Sequence, residues 1–157
     1  MKYRRLTSDQ LNEMHEEFAK FLATQKIDAD KWQEIKDTNP ELVQEQLDLF
    51  SDLVWEKVLN NVKYIDHIDP KQLDLFRANP ETINRIVIKS EKPDFDFRNK
   101  KDYQWFIDNS TDKSFTYLKG EKPYVKNRNE ELFDMLLKGS YISDGKLFES
   151  VNKIIGT

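Results

Sequence analysis

No cysteine occurs among the 157 residues of the chain, which removes disulfides, a thiol nucleophile, iron–sulfur clusters and thiolate zinc sites together. Histidine is nearly absent too: with only His15 and His67, three imidazole ligands cannot come from one chain. Any protein-bound metal would therefore rest on carboxylates, which favours magnesium, calcium or manganese. Glycine occurs only at Gly120, Gly139, Gly145 and Gly156, so the first 119 residues have none. A phosphate-cradling loop or a dinucleotide fingerprint needs glycines early in a strand–turn–helix unit, and neither can be written here. Nor is there a Gly-x-Ser-x-Gly nucleophile elbow. No apolar run reaches the length of a membrane span, and Met1-Lys-Tyr-Arg-Arg-Leu-Thr7 has no apolar signal core behind its charges. These absences lead us to expect a cytoplasmic protein with no cofactor and no membrane partner.

What the sequence does contain is aromatic and charged. Ten Phe, 6 Tyr and 3 Trp accompany a 34% charged content, which reads as a folded domain under a thick charged coat. At this length one core can bury roughly 70% of the unfolded chain's surface, and we expect a single domain over residues 1–157. The charge is uneven. Residues 1–84 hold 11 basic against 17 acidic side chains, net −6, whereas residues 85–128 hold 11 against 7, net +4. Residues 129–157 return to net −2, with 3 against 5.

The front of the chain has helical periodicity. Thr7 with Gln10 three residues on is a capping-box start, and Leu11, Met14, Phe18, Phe21 and Leu22 then share one helical face. Asp30 reads as the cap of a short helix holding Trp32 and Ile35. Asn39-Pro40-Glu41 combines a cap, a proline at the first helical position and an acid at the positive dipole end, and predicts a long, central helix to about Asn61. Past Pro70 the pattern shortens. Leu73–Phe76 and Ile83–Lys89 suggest a β-hairpin, although Asn79-Pro80-Glu81 between them repeats the helix-start pattern. Asp94-Phe95-Asp96-Phe97 alternates and reads as extended, residues 100–109 as helix, and Ser114–Lys119 as strand. Helices over Asn129–Lys138 and Ser143–Ile155 close the chain. The expected class is α+β, with N-terminal helices, a small antiparallel sheet and C-terminal helices.

Three features are candidate sites. On the long helix Glu41, Glu45, Asp48, Asp52 and Glu56 form a row with no basic neighbour on it, and each like pair costs about 0.2–0.5 kcal/mol in an isolated helix. The row is a solvated face, one paired with the basic middle segment, a docking ridge for a basic partner, or a carboxylate metal site. Asp66-His67-Ile68-Asp69 puts an imidazole between carboxylates, as a general base or a metal site would, though polar connections before a proline share this look. Asp94 and Asp96 would lie on one face of a strand, suiting acid–base work, a hard cation or the guarding of a sheet edge. Basic and aromatic residues interleave between Arg98 and Arg128, as in single-strand nucleic-acid binders, but the modest local charge and the acidic whole argue against that class.

Lys2-Tyr-Arg-Arg-Leu-Thr7, Phe21-Leu-Ala-Thr-Gln25, Phe50-Ser-Asp-Leu-Val-Trp-Glu56 and Arg85-Ile-Val-Ile-Lys89 together resemble a bacterial family known as domain of unknown function 6495. The resemblance runs end to end and implies no activity, cofactor or catalytic residue. The sequence alone thus favours a non-enzymatic module that binds another protein, or a second copy of itself. Its alternatives are a small carboxylate- and histidine-dependent hydrolase or metal-binding enzyme, and then a single-strand nucleic-acid binder.

Overall fold

A computed structural model describes residues 1–156 of the chain, which divides into two compact units, Met1–Asn60 and a second beginning at Asn61. The class is α+β, with helices at both ends and a five-stranded antiparallel sheet.

The first unit is helical. Its helices are α1 (Ser8–Glu13), α2 (His15–Thr24), α3 (Ala29–Thr38) and α4 (Pro40–Asn60). The capping box is present: Thr7 Oγ1 accepts from the Gln10 N–H at 3.2 Å and Gln10 Oε1 from the Thr7 N–H at 2.9 Å. The expected front helix is two, because the Met14 N–H is shared between the Gln10 and Leu11 carbonyls and the backbone leaves helical geometry there. The cap of α3 is Asp28 rather than Asp30, its carboxylate accepting from the Lys31 N–H at 2.8 Å. Asn39 caps α4 through the Leu42 N–H at 3.2 Å, and Pro40 opens the helix. Phe18 packs edge-on against Trp32 and Phe50, with ring centroids 5.3 and 5.1 Å away, and this cluster joins α2, α3 and α4.

The second unit carries the sheet, in order β4-β3-β2-β1-β5: β1 (Tyr64–Ile68), β2 (Gln72–Ala78), β3 (Thr82–Ser90), β4 (Phe115–Pro123) and β5 (Tyr141–Ser143). The hairpin reading of 73–89 holds over the helical one. Ala78 pairs with Ile83, and Asn79-Pro80-Glu81 forms the turn, with the Asn79 side chain donating to Thr82 Oγ1 and Asn84 Oδ1. The branched residues of β3 favour a pleat, and that decides against a repeat of the α4 start. Helices α5 (Lys100–Asp108), α6 (Arg128–Leu137) and α7 (Lys146–Ile154) complete the unit. Leu73, Leu75, Ile86 and Ile88 on one sheet face share a buried core with Phe106 of α5 and with Phe148 and Val151 of α7.

Two strands were not anticipated. Tyr64–Ile68, which includes most of the Asp66–Asp69 stretch that resembles a polar connection, is an inner strand, and Tyr141–Ser143, which ends on the Ser143 expected to start the last helix, is the edge strand beside it. The segment Asp94–Phe97 corrects an expectation in the other direction, for it is a turn. Asp94 has φ +57°, in the left-handed region that a strand cannot contain. Phe95 and Phe97 are both buried with centroids 4.8 Å apart, and the Phe97 N–H donates to the Pro70 carbonyl at 2.8 Å. The alternating pattern therefore marks two core anchors of an irregular segment.

Candidate functional site

Side chains alternate along β1, and that alternation builds the site. Tyr64, Asp66 and Ile68 face α5 and α7, whereas Ile65 and His67 project from the opposite sheet face. On β1, Asp66 stands between Leu75 of β2 and Tyr141 of β5. It is only 5% exposed, and its Oδ1 has no hydrogen-bond partner. Burial pushes this carboxyl up to about 6, the nearby negative charge of Asp144 adds to the rise, and a hydrogen bond with the Ser143 side chain opposes it. Tyr103 of α5 and Tyr141 are also raised, chiefly by burial and then by the Asp66 charge.

These groups line a cavity of about 520 Å³ whose wall includes Asp66, Tyr103, Ile107, Tyr141, Lys146 and Ile154. Its shape depends on Gly145, the residue before α7. At φ +79° it takes the left-handed conformation, and a Cβ there would lie 2.3 Å from the Tyr64 ring. Tyr64 packs under this turn and donates its hydroxyl to Glu149 Oε1 at 2.8 Å, which holds the start of α7 against β1.

The structure does not gather Asp66, His67 and Asp69 into one place. His67 and Asp69 stay together, with His67 Nε2 3.4 Å from Asp69 Oδ1, and His67 Nδ1 lies 3.0 Å from Ser140 Oγ. A serine, an imidazole and a carboxylate in a row resemble a catalytic chain, but the setting is unfavourable for one. Ser140 follows the C-terminal end of α6, where the helix dipole is negative, and the Gly139 and Ser140 N–H groups donate back to Leu136 and Met135. Two amides that an oxyanion would need are thus already engaged.

The acidic row of α4 is occupied from within its own unit. Asp52 accepts the Lys2 and Tyr3 N–H groups at 2.7 and 2.9 Å, Arg5 donates to Asp48 at 2.8 Å, and Lys2 and the Tyr3 hydroxyl reach Glu56. Glu41 and Glu45 are exposed. The balancing cations lie some 50 residues away in sequence, in a segment that the helical period could not place. Asp52→Ala should lower stability by about 1–2 kcal/mol, because two charge-assisted backbone bonds are lost, whereas Glu41→Ala should stay within about 0.5 kcal/mol of the parent. Equilibrium urea unfolding of both variants checks this.

Asp94 and Asp96 are not side by side on a strand. Asp96 holds Arg98 through its guanidinium at 2.9 Å and its N–H at 2.8 Å. The interleaved basic and aromatic residues also disperse. Tyr103 enters the cavity and Trp105 stacks under Lys92 at 4.2 Å, while Arg128 donates to the Val62, Ala78 and Asn79 carbonyls. Among the described residues, no three His, Asp or Glu side chains are arranged to hold a metal ion, and no helix is long and apolar enough to cross a membrane.

Sequence reasoning singled out Asp66 together with His67 and Asp69, and missed the residues that surround Asp66. Tyr103, Tyr141, Ser143, Asp144 and Lys146 come from two separate stretches, both distant from β1 along the chain, and only the short alternation Tyr141-Ile-Ser143 before Asp-Gly hinted at a second strand edge. Fold and cavity together define an α+β chain with a mixed polar and apolar pocket beside its sheet. The chain belongs to a family of unknown function (DUF6495), whose model matches residues 1–156. Comparison with curated proteins and with solved structures finds no match.

Proposed function

We propose that the chain is a binding module that holds a small molecule in the cavity walled by β1, β5, α5 and α7. The observation that supports this is Asp66, a carboxyl 5% exposed with one oxygen unpartnered. An unsatisfied buried acceptor costs a folded chain on the order of 1–3 kcal/mol, and a ligand donor entering the cavity would recover that cost. The volume of about 520 Å³ suits such a ligand, since small-molecule sites span about 300–1,000 Å³. The lining suits it as well: Phe106, Ile107, Leu147 and Val151 offer an apolar bed, and Ser110, Ser143 and Ser150 offer hydroxyls. The sequence favoured a protein-binding module using an exposed helix or sheet face, with the α4 acids as a candidate docking ridge. The occupation of three of those acids by the chain's own N-terminus moves our reading to the Asp66 cavity.

A fragment screen by two-dimensional amide NMR on the full chain tests it. Hits should move the signals of residues 66, 103–110 and 141–154 together. Hits confined to other surfaces, or none at millimolar concentration, would remove the proposal.

A further inference from the structure

The chemistry of the cavity wall narrows the ligand class, on the reading that the cavity is a binding site. Asp66 and Asp144 supply two carboxyl groups, and among the described residues the one cation lining the cavity, Lys146, lies 3.6 Å from Asp144. Asp66 is left as the uncompensated charge, buried and with an oxygen that no donor reaches. Two tyrosine rings, Tyr103 and Tyr141, stand beside it, and an aromatic face attracts a cation. The wall also carries the apolar side chains of Ile107, Leu147 and Ile154. A wall that combines a buried acid, aromatic rings and aliphatic side chains matches a molecule with a charged head and an apolar body. The Asp Cα–Cβ–carboxyl torsion is soft, so the carboxyl can turn its free oxygen toward an incoming donor without leaving its rotamer.

We infer that the Asp66 cavity takes a small organic ammonium ion with an apolar body, its N–H donors completing the Asp66 carboxylate and its chain lying along α5 and α7. An anion would meet Asp66 and Asp144 and be repelled, and a neutral alcohol would offer a single uncharged donor. The ammonium stays protonated through neutral pH, so binding should strengthen as Asp66 ionises. The titratable groups facing Asp66 from the packed elements are Tyr103 on α5, Tyr141 and Asp144 at β5 and Lys146 on α7.

The test titrates the full chain with hexylammonium, hexanol, hexanoate and a doubly capped lysine, by amide NMR at about pH 7.5 and pH 5. Hexylammonium should move residues 66, 103–110 and 141–154 and bind about tenfold or more tightly than hexanol, with hexanoate silent. Its affinity should fall at pH 5, and Asp66→Asn should lose that preference while still binding hexanol. Equal binding of hexanol and hexylammonium at these residues would overturn the ammonium assignment and leave the cavity as a site. No ligand moving these residues would overturn the binding reading itself. Capped lysine binding more tightly than hexylammonium would overturn the small-molecule source and give the cation to a lysine on a protein partner.

Discussion

Asp66→Asn is expected to stabilise the chain by up to about 3 kcal/mol at pH 7.5 and to have almost no effect below pH 3.8. The carboxyl is raised from 3.8 to about 6, mainly by burial and secondarily by the charge of Asp144, against a hydrogen bond with Ser143. For an acid, a raised folded-state value means that the native state holds its proton after the unfolded chain has released it. Below 3.8 both states are protonated and the group contributes nothing. Between 3.8 and about 6 the penalty for ionising it in the folded state grows, and above 6 it is complete. Each pKa unit corresponds to about 1.4 kcal/mol, which gives the upper size of the effect. Asparagine keeps the shape and can still meet Ser143 but carries no charge to desolvate. Denaturant unfolding of both proteins across pH 3.5–8 reads the difference directly. A difference that is flat with pH, or a variant less stable than the parent at pH 7.5, would mean that Asp66 is not paying a burial penalty. A gain of this size from one polar substitution is what a functional residue allows, since sites retain groups that stability alone would discard.

Phe97→Ala is expected to cost about 3–5 kcal/mol, the largest loss we assign to a single side chain. Phe97 is 1% exposed and meets Phe95, Phe106 and Phe115 at centroid distances of 4.8, 5.4 and 6.0 Å. Removing the ring opens a void between the turn at 94–97 and the base of α5, the helix that carries Tyr103 and Phe106 to the cavity. Phe97→Leu fills most of that space and should lose less than half as much. Thermal and urea unfolding of both variants, read by near-ultraviolet circular dichroism, would show it. A loss below about 1 kcal/mol for the alanine variant would place this segment outside the cooperative core.

Helices were legible where the local signal is complete within a few residues. The Thr7–Gln10 box and Asn39-Pro40-Glu41 need only their own neighbours, and both start helices as written. The hairpin of β2 and β3 was legible for the same reason, with branched strands around a turn that satisfies itself. What failed were the elements whose identity depends on distant partners. Tyr64–Ile68 carries two polar residues in the middle and reads as a connection, yet pairing with β2 on one side and β5 on the other makes it an inner strand. At Asp94–Phe97 a period of two was read as a pleat, although two buried rings produce the same pattern in a turn.

Composition and local pattern determined by themselves the α+β class, the long helix with its acidic row, and the lack of thiols, early glycines and imidazole clusters. Tertiary structure alone decided what the charged residues do. Strand alternation parted Asp66 from His67, adjacent in the chain and on opposite faces of the sheet. The N-terminal segment, close to α4 in space and remote along the chain, occupied three of the five acids in the row. Desolvation made one aspartate among many unusual, because burial is a property of the packed volume around a residue and the sequence around it does not record that volume.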